Sequence, residues 1–443
     1  MVVIMPNREP TLAQRLKMVA DLRLIARERF GLGDEHLVMR HLQRLEIYWE
    51  QSLLEQVQTC LKRLEAERAK IERIGDRVPP NDTFRSVELL VGEVTTPHGI
   101  PTRVLLDSSN LLLGMLVTGL RGAGKTTFVR LLLQLIVTCY PFVRILLFDP
   151  NKSYVETCSN PRRWINIPWQ EVRTNPLRAP IGYPYDSWIN ASTDMLGRGE
   201  LLHSKYLIQK RITDLFKEAH IPEKDDGICL PPSLYDLRDD LANRRERPGS
   251  REEGYRQAAL NLIQGRVATT SNTYSCNRGM EDPLTESRVR LDMEGLSPLE
   301  SMEYFITRFI LYTYCRLTIA PRIEPPQLHT LIIVEESQTL LGKHGNLALY
   351  QEILLKARPL GVGFLFITQS MTEIDPIIFA SLSSFLVFAQ SSASNKRLAK
   401  DILDLSQRET QMLGCLRVGE CFVKLTSHPT WPYPFVMRVN NEH

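Results

Sequence analysis

The sequence predicts an α/β fold, with a mainly parallel sheet, a helical insertion and an N-terminal helical domain. Three observations carry this reading. Short apolar runs recur at Gly114–Thr118, Arg144–Asp149, Val289–Asp292, Leu331–Val334, Gly363–Thr368, Phe385–Phe388 and Cys421–Leu425. Most are separated by stretches of helical periodicity, the arrangement of buried strands joined by crossover helices. A glycine-rich segment, Gly119 to Thr126, sits between the first run and an apolar helical stretch. Residues 11–74, in contrast, carry apolar positions only at helical spacing.

Taken in order, Thr11 is placed to cap a helix with Leu12, Leu16, Val19, Leu22 and Ile25 on one face. Gly31-Leu32-Gly33-Asp34 breaks it. A second, longer helix carries Leu54, Val57, Leu61, Leu64 and Ile71 and ends at Gly75, before Pro79-Pro80. Residues 86–106 alternate and turn at His98-Gly99, as a β-hairpin does. The distance from Asp149 to Val289 is too long for one crossover. With helical patterns near 194–218 and 233–245, it is expected to hold an insertion. The charged segment 244–256, centred on Pro248-Gly249, is expected to be an exposed loop. The boundaries drawn are 1–80 for the N-terminal helices, 81–155 for the hairpin and the first part of the core, 156–285 for the insertion and 286–443 for the rest of the core.

Composition bounds the possibilities. The 443 residues, 43% hydrophobic and 24% charged, exceed what one small domain needs and suit a chain with a full core. Lys and Arg number 54 against 51 Asp and Glu, a net charge of +3, so any nucleic-acid site must be local rather than a property of the whole surface. The eight cysteines (Cys60, Cys139, Cys158, Cys229, Cys276, Cys315, Cys415 and Cys421) are scattered singly, without the close pairs of a zinc knuckle; they read as reduced thiols of a cytoplasmic protein. The N-terminal residues lack the pattern of a signal peptide. The most apolar stretch, Phe128 to Phe148, is interrupted by Arg130, Gln134, Pro141 and Arg144, so no membrane span is expected.

The chemistry concentrates in three places. Gly119-Leu-Arg121-Gly122-Ala123-Gly124-Lys125-Thr126 matches G-x-x-x-x-G-K-[ST], with Thr127 following in the helix. Glycines free backbone N–H groups to wrap a phosphate, the helix N-terminus offers its positive end, Lys125 reaches the β- and γ-phosphates, and the Thr126 hydroxyl serves Mg²⁺. Leu331-Ile-Ile-Val334 then ends in Glu335-Glu336. Acids at the C-terminal edge of a buried strand stand where α/β sheets bind ligands, Glu335 for the Mg²⁺ shell and Glu336 to orient or deprotonate water. Gly361 to Thr368 leads to Gln369, an amide placed to sense a γ-phosphate, and Arg358 lies eleven residues before it.

With FDPNKSYVE (148–156), TNPL (174–177), LDMEGLS (291–297), LIIVEES, KARPLGVGFLFITQS and LRVGECFVKL, this order resembles the HerA/FtsK superfamily of ring-forming, DNA-pumping ATPases. The HerA-like branch and the type IV secretion and coupling ATPases are the most similar. The resemblance covers roughly 86–430. It implies a RecA-like P-loop ATPase core, ATP and Mg²⁺ as cofactors, and a homo-oligomer, a hexamer, that threads double-stranded DNA through a central pore. It further implies that Arg358 completes the neighbouring subunit's site and that Gln369 couples hydrolysis to movement. The chain departs from the family pattern at Glu335, where Asp is usual, and in the FDPNKSY segment, at Asn151 and Ser153.

The activity expected from this is Mg²⁺-dependent hydrolysis of ATP coupled to translocation of duplex DNA, together with a nuclease or in defence. The N-terminal helices would be an adaptor for such a nuclease or another protein. Candidate track contacts are the 244–256 loop and Arg162-Arg163-Trp164. Two other readings stand beside it: a type IV secretion or coupling motor moving protein or nucleoprotein, and a P-loop switch or assembly scaffold that moves nothing.

Overall fold

In the computed structural model the described residues are 11–24, 26, 37–50, 52–61, 89–95, 101–196, 202–269, 273–274, 288–297, 299–320, 326–342, 347–425 and 433–440. The chain divides into two compact units, Met1–Val78 and Pro79–His443.

The first unit holds α1 (Leu12–Leu24), α2 (Leu37–Ile47) and α3 (52–61). Thr11 and Gln14 cap α1 reciprocally, each side chain bonding the other's backbone N–H. Val19, Val38, Met39, Leu42, Leu45, Leu54, Val57 and Leu61 form its core. Leu22 packs against that core, whereas Leu12 and Leu16 of the expected apolar stripe stay exposed. Ile25, Leu64, Ile71 and Gly75 lie outside the described residues.

The second unit is built on one eleven-stranded sheet. Its strands are β1 (Leu89–Thr95), β2 (Pro101–Leu106), β3 (Met115–Thr118), β4 (Arg144–Asp149), β5 (Ile165–Pro168), β6 (Arg288–Asp292), β7 (Thr330–Glu335), β8 (Val362–Thr368), β9 (Ser384–Phe388), β10 (Glu420–Leu425) and β11 (Phe435–Val439). They lie in the order β2-β1-β11-β10-β9-β3-β8-β7-β4-β6-β5. From β9 to β5 every pairing is parallel. From β9 outward to β2 every pairing is antiparallel. All seven apolar runs are strands, and β1 and β2 pair as the expected hairpin, with residues 96–100 of its turn outside the described residues. Gly92 fits where any side chain would strike the Arg438 carbonyl of β11, 2.4 Å from a Cβ.

Three features differ from expectation. The run at Cys421 is antiparallel to β9. The chain between them, residues 389–419, leaves and re-enters the sheet at the same edge, so β10 must run back against β9. The segment expected to be helical also contains β5, which extends the parallel sheet beside β6. With only four residues, β5 gives too short an alternation to stand out. Finally, 244–256 is not one loop: 244–250 is irregular, and α9 starts at Arg251. The Ser250 hydroxyl accepts the Glu253 N–H, and Glu252 and Glu253 in the first turn complement the helix dipole.

Between β5 and β6 lie α6 (Tyr185–Leu196), α7 (Leu202–Glu218), α8 (Leu234–Asn243) and α9 (Arg251–Thr269). They follow α4 (Ser108–Leu112) and α5 (Lys125–Cys139) and precede α10 (Leu299–Thr318). The helix α10 is buried almost all round, linking sheet and insertion. Its Phe309 meets Phe148 of β4 edge-on at 6.2 Å, and its Tyr312 meets Trp188 of α6 at 5.8 Å. Among the described residues no helix is long and apolar enough to cross a membrane.

Candidate active site

The parallel strands β3, β8, β7 and β4 all end at one edge of the sheet, and the predicted site residues gather there. Register fixes their order: Thr118 of β3 pairs with Thr368 of β8, Glu335 of β7 with Ile367, and Val334 with Phe148 of β4. The glycine-rich loop thus leaves β3 beside Gln369, with Glu335 and Glu336 one strand further on and Asp149 beyond them. Arg358 alone stands apart. It precedes β8, whose seven residues span about 20 Å, so it lies at the opposite edge of the sheet. It is exposed, with no ion-pair partner among the described residues.

The loop conformation needs its glycines. Gly119, Gly122 and Gly124 have φ of 152°, 78° and 111°. At Gly124, the N-cap of α5, a Cβ would lie 2.9 Å from the Gly419 nitrogen; at Gly119 it would lie 2.5 Å from the Phe388 Cβ. Backbone bonds fasten the loop to the ends of the 389–419 excursion, Leu120 N–H to the Ala389 carbonyl at 2.9 Å and Gly419 N–H to the Ala123 carbonyl at 3.0 Å. Arg121 and Thr127 are exposed, Thr126 is half-buried, and Ala123 is buried beneath the loop. The α5 side chains Phe128, Val129, Leu132 and Ile136 anchor the helix on the sheet.

Lys125 is buried, and its Nζ donates to the Gly119 carbonyl at 2.6 Å and the Leu120 carbonyl at 2.9 Å. Burial lowers its pKa, and the nearby Glu335 carboxyl partly opposes that. Glu335 accepts from Ser153 Oγ at 3.0 Å, while its Oε2 is buried without a partner. Burial and the adjacent Asp149 push its pKa up to about 8. Asp149 is fully buried; its carboxylate accepts the Ser153 and Tyr154 N–H groups at 2.8 and 3.1 Å and Arg290 Nε at 2.6 Å. Glu336 has φ of 54°, a backbone that costs an L-residue roughly 1–2 kcal/mol. Its Oε1 accepts from Asn151 Nδ2 at 2.8 Å. Thr368 Oγ1 donates to Gln338 at 3.0 Å, and Gln369 is exposed at the loop's flank.

Several of these residues were not foreseen from the sequence as members of the site. Asn151 and Ser153 stood out only as departures from a motif, yet each bonds one of the two acids. Arg290 had a readable signal: a charged residue in a buried strand demands a buried partner, and Asp149 supplies it. One candidate track contact is corrected by the structure: Trp164 is only 4% exposed and has no free face on which a base could stack.

No family model matches the chain, and no curated protein does. Solved structures do. VirB4 of Thermoanaerobacter pseudethanolicus superposes with a TM-score of 0.65 at 15% identity, over 81% of this chain and 97% of that one. The bacterial conjugative coupling protein TrwBdeltaN70, unbound, gives 0.58 at 14% identity over 82% and 91%. TrwB in complex with the non-hydrolysable ATP analogue ADPNP gives 0.59 at 13% identity over 82% and 92%. With its parallel sheet, glycine-rich loop and strand-end acids, the chain has the RecA-like P-loop ATPase fold of VirB4 and TrwB.

Proposed function

We propose that this chain is a Mg²⁺-dependent ATPase that closes into a ring and drives double-stranded DNA through the pore. The observation that carries the proposal is the division of the expected catalytic set: Lys125, Glu335, Glu336 and Gln369 share one sheet edge, and Arg358 stands at the other. An arginine placed there serves a site only on an adjacent copy, as a head-to-tail ring requires. TrwB has been solved with ADP and Mg²⁺ and with ATP and GTP analogues, which supports a nucleotide at the equivalent loop here.

The residues fit such a ligand. Lys125 Nζ now spends its donors on two loop carbonyls that a phosphate would replace, and the orphaned Glu335 Oε2 is an acceptor suited to water in a Mg²⁺ shell. Bound Mg²⁺ supplies neutralising charge at the β- and γ-phosphate oxygens. The loop N–H groups and Lys125 bind the phosphates, and Thr126 and Glu335 hold the metal's shell. Glu336 orients the attacking water and takes its proton, Arg358 of a neighbouring copy balances the developing charge, and Gln369 reports the γ-phosphate to the rest of the fold.

Hydrolysis measured with and without duplex DNA tests this. Stimulation by DNA, abolished by Glu336→Gln with ATP binding retained, is the expected result; Glu336→Gln turning over normally removes Glu336 from its role. The likeness to VirB4 and TrwB supports a second reading, a type IV secretion or coupling motor moving protein or nucleoprotein. Copurification with envelope components and indifference to free DNA would favour it. A P-loop switch without translocation would hydrolyse ATP unaffected by any track.

A further inference from the structure

The segment after β4 is fixed on three sides. The buried Asp149 carboxylate holds the Ser153 and Tyr154 N–H groups. Arg130, one turn into α5 from Lys125, donates to the Ser153 carbonyl through Nε at 3.0 Å and Nη2 at 2.6 Å. Lys152 pairs with Glu294, beyond β6. Asn151 is exposed at the centre of this clamp, and its amide meets the Glu336 carboxylate at 2.8 Å. A carboxylate only accepts, so Nδ2 must be the atom that faces it.

The direction of that contact follows from strand order. With β3-β8-β7-β4 and adjacent strands about 4.8 Å apart, the phosphate loop lies to one side of β7 and Asn151 to the other. The bond to Asn151 therefore holds the Glu336 carboxylate on the β4 side of β7, the side away from β3, from which the loop leaves the sheet.

We propose that Asn151 is a positioning residue that holds Glu336 back from the nucleotide and thereby sets the rate of unstimulated hydrolysis. This rests on the hydrolysis reading above. Hydrolysis begins when Glu336 leaves Asn151 and turns to the water. Because Arg130 joins the clamp to the phosphate-loop helix, a shift of α5 reaches the clamp at Ser153, two residues from Asn151.

The test is steady-state ATPase kinetics of the full chain without DNA. Asn151→Ala should raise kcat roughly three- to tenfold, the scale of one ordinary hydrogen bond, and leave KM within about twofold. Asn151→Asp should do the same, since a second carboxylate repels the first. In a Glu336→Gln background both gains should vanish. A fall or no change in kcat in both variants, or a gain that survives Glu336→Gln, overturns the proposal. The hydrolysis reading fails separately: it falls if Glu336→Gln alone leaves turnover intact, whatever Asn151 does.

Discussion

At the scale of single residues, the candidate site gathers buried charge and positive-φ backbone at one sheet edge. Burial and the neighbouring Asp149 disfavour the charged form of Glu335. Glu335 stands above its usual value of 4.5, at about 8. A carboxyl raised in the folded chain contributes stability that is complete below its unfolded pKa and lost as pH rises through the folded one. Nucleotide-free protein should therefore lose thermal stability between about pH 5 and about pH 9, and Glu335→Gln should flatten that slope. An unchanged slope would show that Glu335 ionises as freely in the folded chain as in the unfolded one. The loop glycines separate strain from collision. Gly122→Ala meets open space and pays only for its positive φ, whereas Gly124→Ala also strikes the Gly419 backbone. Thermal denaturation should rank Gly124→Ala as the worse by at least about 1 kcal/mol, with weaker nucleotide binding as well. Equal losses would mean that the close approach to Gly419 is not maintained.

At the scale of elements, the fold was legible wherever an element was long or its chemistry local. Seven apolar runs became strands and the glycine-rich turn became the phosphate loop, because burial on both faces and positive φ leave direct marks on a sequence. The four-residue strand β5 left none. Nor did the reversal of β10, which depends on where the 389–419 excursion returns rather than on any residue within the strand. The start of α9 was hidden because its charged first turn reads like a solvated loop. In the site, the positions of Lys125, Glu335, Glu336 and Gln369 followed from strand ends, while Asn151 and Ser153 did not, since only strand adjacency brings them to the acids. The Arg290–Asp149 pair beneath that cluster is 3% and 0% exposed at its side chains. Arg290→Met, which leaves Asp149 buried and unpaired, should cost about 3–5 kcal/mol in denaturant unfolding; a loss under about 1 kcal/mol would show that Asp149 is satisfied without it. Thiol reactivity follows the same burial: alkylation of the native chain should reach the exposed Cys139 and Cys415 and spare Cys158 and Cys315, whose pKa values burial pushes up to about 12 and about 11.

At the scale of the whole molecule, a net charge of +3 neither suggests nor excludes a nucleic-acid track. A ring holds its track by enclosure, so affinity can reside in a few pore cations and still permit release. The proposed role of Arg358, at the edge opposite Lys125, would make the copies interdependent. Inactive Arg358→Ala and Lys125→Ala chains, mixed, should recover part of the wild-type hydrolysis, and mixed rings that stay inactive would contradict a shared site. The most direct measurement is electron microscopy of the purified chain with a non-hydrolysable ATP analogue and duplex DNA. The expected result is a six-fold ring with density in its pore and Arg358 facing the neighbouring phosphate loop. Monomers, or rings with an empty pore and Arg358 in solvent, would contradict it.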